Sequence, residues 1–471
     1  MKGRPNIIFI MLDTLRADSI EACNGIKLKN IGSWAKRGVL YEQAIAPGTY
    51  TVPTHTSLFL NKRVRDIKEF LKDPMKFSEE NTDPFLKKIK YIKKGELTLA
   101  KHLSIIGYKT FLFSNNPFLS KSTGLGEGFD YVENLWFRDK IDKNRLSVKA
   151  TLKIIDNKYT KIGFVELASL ISKLISKNKI DDVYLKLRTK LNQHFANEYG
   201  FYELDKGVNK TIESISKNIK NIEQNFAFIN LMEAHEGYPT NLITKEYIEQ
   251  DKWLYMSHIL DPYDGTIEII KKAYEARIKY LDDKLGVLVN MMKKKGLLDN
   301  AVLIFASDHG QGFMEHGIMY HNMFPYEEIS RVPFFAVKFE NGKIEKVGER
   351  VEEPVSLTDI HNSILDIAYG KNEFLNGSLR RSTVFSDHIG ITEVWDKILL
   401  DKIRKKSKYA KIIYSTKLYH NMRATAIYHN GYKLIHFFGK KKDELYKIGD
   451  ESNNIIDKKR EIAQKLLMLN G

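Results

Sequence analysis

Cysteine is almost absent from the 471-residue sequence, in which Cys23 is the only one. A disulfide within the chain and a metal site built from several thiolates are therefore excluded, and a cytoplasmic location is expected. Long apolar runs are also lacking. The N-terminal run ends at Asp13 after about seven apolar residues, too few for a signal-sequence core or a membrane span.

Acidic residues are outnumbered: the sequence has 59 of them and 75 lysines and arginines, which gives a net charge of +16. Such a charge favours anionic partners, although lysines that only solvate the surface would give the same count. The basic cluster at 396–412 has few aromatic residues and no binding motif, so nucleic acid is not expected. With 43% hydrophobic residues, the chain can bury a large core.

The chemically densest stretch begins with an apolar run, 301–305, that predicts a buried strand. Asp308, His309 and Gly310 follow it, at the edge where open α/β sheets bind ligands. The carboxylate and the imidazole supply an oxygen and a nitrogen ligand for a divalent cation, and glycine lets the backbone turn sharply.

Two other places repeat this arrangement. Asn6–Leu12 predicts a strand that leads to Asp13, and Thr51 comes just before a helix that begins near Pro53. Either residue could instead cap a helix or a turn. A threonine hydroxyl becomes a useful nucleophile when a cation lowers its pKa. The predicted metal ligands are therefore Asp13, Thr51, Asp308 and His309, for Mn²⁺, Mg²⁺, Ca²⁺ or Zn²⁺.

Together these segments resemble the sulfatase family of the alkaline phosphatase superfamily, and the resemblance runs through nearly the whole chain. It implies an α/β fold, an alkaline phosphatase-like α/β/α sandwich with a large, mostly parallel sheet. It also implies a catalytic domain at 1–370 and a C-terminal subdomain at 371–471 with a small antiparallel sheet. Residues 137–226 have no counterpart in the family, and their helical periodicity predicts a helical insertion in the catalytic domain. The matching segments are Pro5–Asp18, Thr51–His55, Ser307–Gly310 and Tyr326–Pro333.

The departures from the family pattern concern the nucleophile. Hydrolytic sulfatases carry Cys or Ser in a C/S-x-P-x-R motif and oxidise it to formylglycine, whereas Thr51 stands here and no formylglycine is expected. The resemblance then favours phosphoester or phosphodiester cleavage over sulfate cleavage. His55 replaces the arginine of the motif, and Asn115 lies where the family has ester-binding residues. Both are predicted to bind substrate.

The resemblance also assigns two histidines. His235 follows the apolar run 226–231 in a turn similar to the family's H-x-P-Y, so it is expected to contact the ester oxygens, or else to bond within its own loop. His321 falls where the family has a lysine near the leaving group, and an imidazole there can act as general acid. His316 is expected to hold the loop. Glu233 could supply an extra ligand to a second cation.

The insertion leaves two interpretations open. Apolar residues in 163–177 recur every three or four positions, with lysines between them. The segment is either a cap over the site or an interfacial helix on anionic lipid. Function has alternatives as well: an ester hydrolase, a transferase that moves a phospho-head-group onto a glycan or lipid, or a non-catalytic binding module. The expected partner is an anionic ester, glycan- or lipid-linked; the sequence does not predict an oligomeric state.

Overall fold

The computed structural model describes residues 3–20, 28–71, 90–135, 205–221, 224–236, 266–321, 323–371, 373–379, 381–390, 422–439 and 441–470. Its helices are α1 (Ile31–Arg37), α2 (Thr51–Leu60), α3 (Lys68–Leu71), α4 (Leu99–Ile105), α5 (Val208–Asn218), α6 (Thr266–Lys294), α7 (Glu327–Ser330), α8 (Ile360–Ala368) and α9 (Arg460–Met468). Its strands are β1 (Asn6–Leu12), β2 (Val39–Tyr41), β3 (Ala44–Ile45), β4 (Lys109–Ser114), β5 (Tyr131–Asn134), β6 (Asn225–Leu231), β7 (Asn300–Ala306), β8 (Gly312–Phe313), β9 (Met319–Tyr320), β10 (Arg331–Val332), β11 (Phe334–Glu340), β12 (Lys343–Glu345), β13 (Glu349–Val351), β14 (Val355–Ser356), β15 (Thr383–His388), β16 (Arg423–His429), β17 (Tyr432–Phe438) and β18 (Glu444–Lys447).

A large mixed sheet organises the fold. Its strand order is β13-β2-β11-β7-β1-β6-β4-β5, with β12 beside β11. The strands β7, β1, β6, β4 and β5 run parallel, whereas β11 is antiparallel to β7. The carboxyl ends of the parallel strands therefore meet at one edge, where such sheets bind ligands.

The strand β1 is apolar throughout because both faces of the sheet are covered. Ile8, Ile10 and Leu12 face the core shared with α1, α5 and α6. The alternate residues Ile7, Phe9 and Met11 face a second core, shared with α2, α4 and α8. Each of these side chains contributes roughly 1.5–3 kcal/mol by burial. The sheet edge that carries the predicted site residues is thus held in place by packing on both faces of the sheet.

A second sheet, β15-β16-β17-β18, is antiparallel and lies within the C-terminal segment. One face packs on α9 through Leu434 and Leu466. The other packs on the main body through Ile45 and Phe324. The predicted α/β sandwich with a large, mostly parallel sheet and a small C-terminal antiparallel sheet is confirmed.

Several predicted segments cannot be compared with the structure. The amphipathic segment 163–177 and the basic cluster 396–412 lie outside the described residues, as does most of the insertion at 137–226. At the end of that insertion, α5 packs on α6 in the first core. The boundary at 370 between the two predicted domains stays a prediction. Among the described helices, none combines the length and the apolar character that crossing a membrane requires.

Candidate metal centre and active site

Two neighbouring parallel strands bring the predicted carboxylates together. β1 and β7 pair from Asn6↔Ala301 to Met11↔Ala306, so Asp13 and Asp308 emerge side by side. Thr14 then turns the chain with a φ of 62°, a strained value for a β-branched residue. Its N–H donates to Asp308 Oδ1 at 3.3 Å, which joins this turn to the loop after β7.

Thr51 reaches the same point from the N-terminus of α2. It is the first helical residue, and the capping position belongs to Tyr50 in an extended conformation. The Thr51 hydroxyl is buried and lies 3.5 Å from His309 Nε2. The hydroxyl thus contacts the imidazole of the Asp308-His309 pair at the positive end of the helix dipole.

The donor atoms fit a divalent cation. Asp13, Asp308 and His309 are fully buried, and their ligand atoms lie within 4.8 Å of one another. His309 Nε2 is 3.8 Å from Asp13 Oδ1 and 3.5 Å from Asp308 Oδ2. Within the part of the chain that the structure describes, neither of these oxygens accepts a hydrogen bond. Buried carboxylate oxygens without donors are what a cation would satisfy.

Electrostatics supports the same assignment. Burial raises the pKa of Asp13, and it raises the pKa of Asp308 well above its usual range, with the Asp13 charge adding to the effect. Burial also lowers the pKa of His309, so the ring is neutral near pH 7. Two acids with a neutral imidazole lack positive charge, which a dication would supply.

His55, predicted to bind substrate, lies one helical turn behind Thr51. Its Nδ1 donates to the Thr51 carbonyl oxygen at 2.8 Å and lies 3.7 Å from Asp308 Oδ2. The ring is fully buried between Phe59 and Phe228, and burial lowers its pKa to about 3. These contacts orient the first turn of α2; the role in substrate binding stays a prediction.

The amide that contacts the centre belongs to Asn116, one residue beyond the one expected. Asn116 Nδ2 donates to Asp13 Oδ2 at 2.9 Å and to Thr51 Oγ1 at 3.4 Å. The Asn115 amide oxygen instead accepts from Thr211 at 3.3 Å. Ser114 sets this register, because its hydroxyl accepts from the Asn116 N–H at 3.0 Å and turns the chain after β4. That Asn115 binds substrate stays a prediction.

Replacing Asn116 with alanine is expected to lower kcat or cation affinity about 10- to 100-fold, because its amide orients both a carboxylate and the hydroxyl. Ester turnover and cation titration of Asn116→Ala would measure the loss. Asn115→Ala, which removes an amide bonded to Thr211, should have the smaller effect. An equal or larger loss in Asn115→Ala would show that the neighbouring amide carries the role.

The two predicted catalytic histidines lie in a row next to His309. The rings of His309 and His321 lie 4.4 Å apart between centroids, and those of His235 and His321 lie 5.1 Å apart. Glu236 links the two, since its Oε2 is 3.1 Å from His235 Nδ1 and 3.5 Å from His321 Nδ1. Gln311 also contacts this group, with its Oε1 3.1 Å from His321 Nδ1.

Lys206 lies behind this turn, just before α5. Its ammonium donates to the carbonyl oxygens of His235, at 2.7 Å, and of Glu236. Burial lowers the pKa of Lys206 to about 7 and raises that of Glu236 to about 8. Glu233 instead accepts from the N–H groups of Lys206 and Val208, at 3.1 and 2.9 Å, so its carboxylate anchors the N-terminus of α5.

Main-chain bonds close the loop after β7 at its base, which we call the neck. Ser307 donates to the Pro333 carbonyl at 3.2 Å, Gly310 to that of Ile329 at 2.7 Å and Gln311 to that of Glu328 at 2.9 Å. His316 adds a side-chain bond inside the loop. Its Nδ1 lies 2.9 Å from Glu328 Oε1, and its ring stacks on Tyr326 at 4.0 Å. This geometry agrees with the expectation that His316 holds the loop.

The neck leaves no room for a side chain at Gly310, because a Cβ there would overlap the main-chain oxygen of Glu328. Gly310→Ala is therefore expected to lower the free energy of unfolding by about 2–4 kcal/mol. Urea unfolding would measure it. Gly32→Ala in α1, where a Cβ meets nothing within 4 Å, should be neutral or stabilising by up to about 1 kcal/mol. Equal stability of the two variants would contradict the close approach.

Four residues of this region carried no prediction: Asn116, Lys206, Glu236 and Gln311. Three of them adjoin predicted residues, since Asn116 follows Asn115, Glu236 follows His235 and Gln311 comes two positions after His309. A search for carboxylate or amide groups beside candidate histidines would have found Glu236 and Gln311. Lys206 belongs to no motif and reaches the site only through the position of α5.

A family model described as Sulfatase matches residues 5–371. Among curated proteins, the N-acetylglucosamine-6-O-sulfatase of Bacteroides thetaiotaomicron is 23% identical over 363 residues, an alignment that covers 70% of this chain and 62% of that protein. The chain spans less than two thirds of the length of the curated relatives it matches first, from 20% to 62%.

Solved structures of the same fold cover nearly the whole chain. A phosphonate monoester hydrolase from Silicibacter pomeroyi superposes with a TM-score of 0.62 at 14% identity, over 99% of this chain and 94% of that one. A structure in complex with its substrate D-glucosamine-2-N,6-O-disulfate superposes with a TM-score of 0.60 at 16% identity, over 99% and 96%. At such identities the likeness shows the fold alone.

Proposed function

The chain belongs to the sulfatase family of the alkaline phosphatase superfamily, and from this we propose that it hydrolyses an anionic ester, with Thr51 as nucleophile and phosphorus rather than sulfur at the reacting centre. One observation carries the proposal. The buried Thr51 hydroxyl lies 3.5 Å from His309 Nε2 and 3.4 Å from Asn116 Nδ2. A hydroxyl that merely capped a helix would have no reason to contact two functional groups there.

The groups that would hold the divalent cation are Asp13, Asp308, His309 and the Thr51 hydroxyl. When bound, the cation lowers the pKa of that hydroxyl and neutralises negative charge on the ester. Asn116 keeps the Asp13 carboxylate and the Thr51 hydroxyl in fixed relative positions through its 2.9 and 3.4 Å contacts. This preorganisation reduces the reorganisation needed during the reaction.

Thr51, His321 and His235 then have separate roles in the reaction. Thr51 Oγ1 loses its proton to solvent and forms a bond to phosphorus, while the bond from phosphorus to the leaving oxygen breaks. His321 gives a proton to that oxygen. His235 donates from its ring N–H to a non-bridging oxygen. A water molecule next cleaves the bond between Thr51 and phosphorus, its hydroxyl joining phosphorus and its proton restoring the threonine.

Chemistry favours phosphorus over sulfur. Sulfatases that use formylglycine release sulfate through the hydrated aldehyde, and a secondary alcohol such as that of Thr51 cannot become an aldehyde. A phosphorylated threonine, in contrast, can be hydrolysed in line by water on the same centre. The proposal therefore includes a phosphomonoester or phosphodiester substrate and no formylglycine.

We propose a glycan- or lipid-linked ester as the substrate. One structural neighbour was solved with a disulfated glucosamine, and another is a phosphonate monoester hydrolase. The net charge of +16 would attract an anionic substrate of either kind. Contact of 163–177 with anionic membranes stays a prediction, because that segment lies outside the described residues.

The test is turnover of p-nitrophenyl sulfate, phosphate, phenylphosphonate and bis-phosphate by metal-stripped protein, before and after addition of Mn²⁺. We expect cation-dependent turnover, with the best phosphorus ester at least about 10-fold faster than the sulfate. Preference for the sulfate would overturn the choice of phosphorus. Loaded protein that cleaves none of the esters would contradict hydrolysis, and group transfer to an added acceptor sugar would then identify a transferase.

A further inference from the structure

The turn that follows β1 joins Asp13 to Asp308 through a strained residue. Thr14 has a φ of 62°, a left-handed conformation that a β-branched residue rarely adopts. Such a conformation persists only where the surrounding structure over-determines it. The bond from the Thr14 N–H to Asp308 Oδ1 is 3.3 Å long, too weak to hold the turn by itself. Other contacts are therefore needed.

Tyr274 supplies two of these contacts. It belongs to α6, and its side chain is buried at 3% exposure. Its hydroxyl accepts a hydrogen bond from the Arg16 N–H at 2.9 Å and donates one to the Thr14 carbonyl oxygen at 3.0 Å. One oxygen therefore bonds the main chain on both sides of Leu15, as a donor and as an acceptor.

The Tyr274 hydroxyl is presented from a rigid element. α6 runs over 29 residues, and Tyr274 is part of the core that this helix shares with β1 and α5. The edge of its ring packs on Phe313 with 5.0 Å between centroids. A group whose own position is fixed by packing can impose a geometry on a neighbouring turn.

Ser307 ties the same turn to the loop after β7. Its hydroxyl accepts from the Leu15 N–H at 2.8 Å and donates to the His309 carbonyl oxygen at 2.8 Å. The hydroxyls of Tyr274 and Ser307 together bond three successive residues of the turn. Tyr274 is the one that comes from an element without a proposed ligand, so its role can be tested without altering the loop that carries Asp308 and His309.

We propose that Tyr274 is a positioning residue for the cation site, because its hydroxyl holds Thr14 in the left-handed conformation that joins the Asp13 turn to Asp308. The inference rests on the proposed function of this site and adds a residue that touches neither cation nor ester. Without the hydroxyl, Thr14 relaxes and its N–H turns away from Asp308 Oδ1. The two carboxylates then lose their fixed relative positions, and a cation must restore the strained turn when it binds.

The test is the affinity for Mn²⁺, measured by calorimetric titration of the metal-stripped full chain. Tyr274→Phe removes the hydroxyl and keeps the ring, and we expect it to weaken binding about 10-fold. Tyr41→Phe is the matched control, because its buried hydroxyl donates to the Phe374 carbonyl oxygen at 2.8 Å in the second core. It should leave the affinity unchanged. Equal affinities of Tyr274→Phe and the wild type, or an equal loss in Tyr41→Phe, would overturn the proposal.

Glycine at position 14 tests whether strain is the link. Glycine adopts a φ of 62° without steric cost, so it does not need the hydroxyl to stay in the turn. Adding Thr14→Gly to Tyr274→Phe should therefore return the Mn²⁺ affinity to within about 3-fold of the wild type. A double variant that binds no better than Tyr274→Phe would contradict the proposal.

Hydrogen exchange of the metal-free protein gives a reading that does not depend on the cation. Amides at 14–16 should exchange at least about 10-fold faster in Tyr274→Phe, while those of Asn6–Leu12 keep their rates and report an intact fold. Unchanged exchange at 14–16 would overturn the role of Tyr274. Faster exchange there, in a chain whose wild type binds no Mn²⁺, would refute the proposed function and support the hold on the turn. Mn²⁺ binding that Tyr274→Phe does not weaken would refute only the role of Tyr274.

Discussion

Thr51→Ala is expected to lower kcat for the best phosphorus ester by at least about 10³-fold, because it removes the oxygen that attacks phosphorus in the first step of the proposed reaction. The hydroxyl is buried and lies 3.5 Å from His309 Nε2, so water cannot occupy its place with the same orientation. Initial rates with Mn²⁺-loaded protein, normalised to bound metal, would measure the loss.

The matched variant is Thr51→Ser, which keeps the hydroxyl and loses one methyl group. It should retain turnover within about 10-fold of the wild type, since the attacking oxygen and its contacts remain. A phosphorylated intermediate should also be trapped on Thr51 by rapid acid quench and identified by mass spectrometry. If Thr51→Ala kept most of the activity with metal bound, a water molecule rather than the threonine would be the nucleophile.

Asp308→Asn is expected to abolish turnover and to remove the stabilisation that the bound cation provides. In metal-stripped protein the Asp308 carboxyl is fully buried, and its Oδ2 has no donor among the described residues. The amide should therefore leave the metal-free protein at least as stable as the wild type. At a free cation concentration 1,000 times the dissociation constant, the wild type gains about 4 kcal/mol. The variant should lose that gain.

Thermal unfolding with and without Mn²⁺ would separate these two effects. Asp387→Asn is the matched control, because Asp387 is also buried but pairs with Arg63 at 3.0 Å. It should lower Tm in both conditions and leave the cation-induced increase intact. An unchanged increase in Asp308→Asn would mean that the stabilising cation binds elsewhere.

The main features of the fold can be predicted from the sequence because each strand is marked by the apolar pattern of a single stretch of residues. The strand Asn6–Leu12 is apolar at every position, and the structure begins and ends it at those residues. Asp13 and Asp308 follow two such strands, and parallel pairing brings them to the same edge without further information. That they bind a cation stays a prediction.

The remaining features of the site depend on turns, and the pattern of apolar and polar residues along a strand does not predict how a turn is formed. Asn116, rather than the predicted Asn115, contacts the centre because the chain turns at this point. The Ser114 hydroxyl accepts a hydrogen bond from the Asn116 N–H and fixes that turn. Lys206 reaches the turn of His235 because Glu233, just after β6, binds the N–H groups of Lys206 and Val208 at the N-terminus of α5. Neither contact leaves a periodic pattern in the sequence, so neither could be predicted from it.

The neck of the loop after β7 also has a kinetic consequence. Main-chain bonds from Ser307, Gly310 and Gln311 close the base of this loop next to Asp308 and His309. Beyond them, the short hairpin β8–β9 pairs Gly312 with Tyr320, so that 314–318 form its tip. Local opening of the tip breaks fewer bonds than separation of the neck from the sheet. Amide hydrogens at 314–318 should exchange with solvent sooner than those at the neck. Asp308 and His309 should therefore keep their positions while the tip opens, so that a chelator would remove a cation held by them more slowly than the amide hydrogens of the tip exchange.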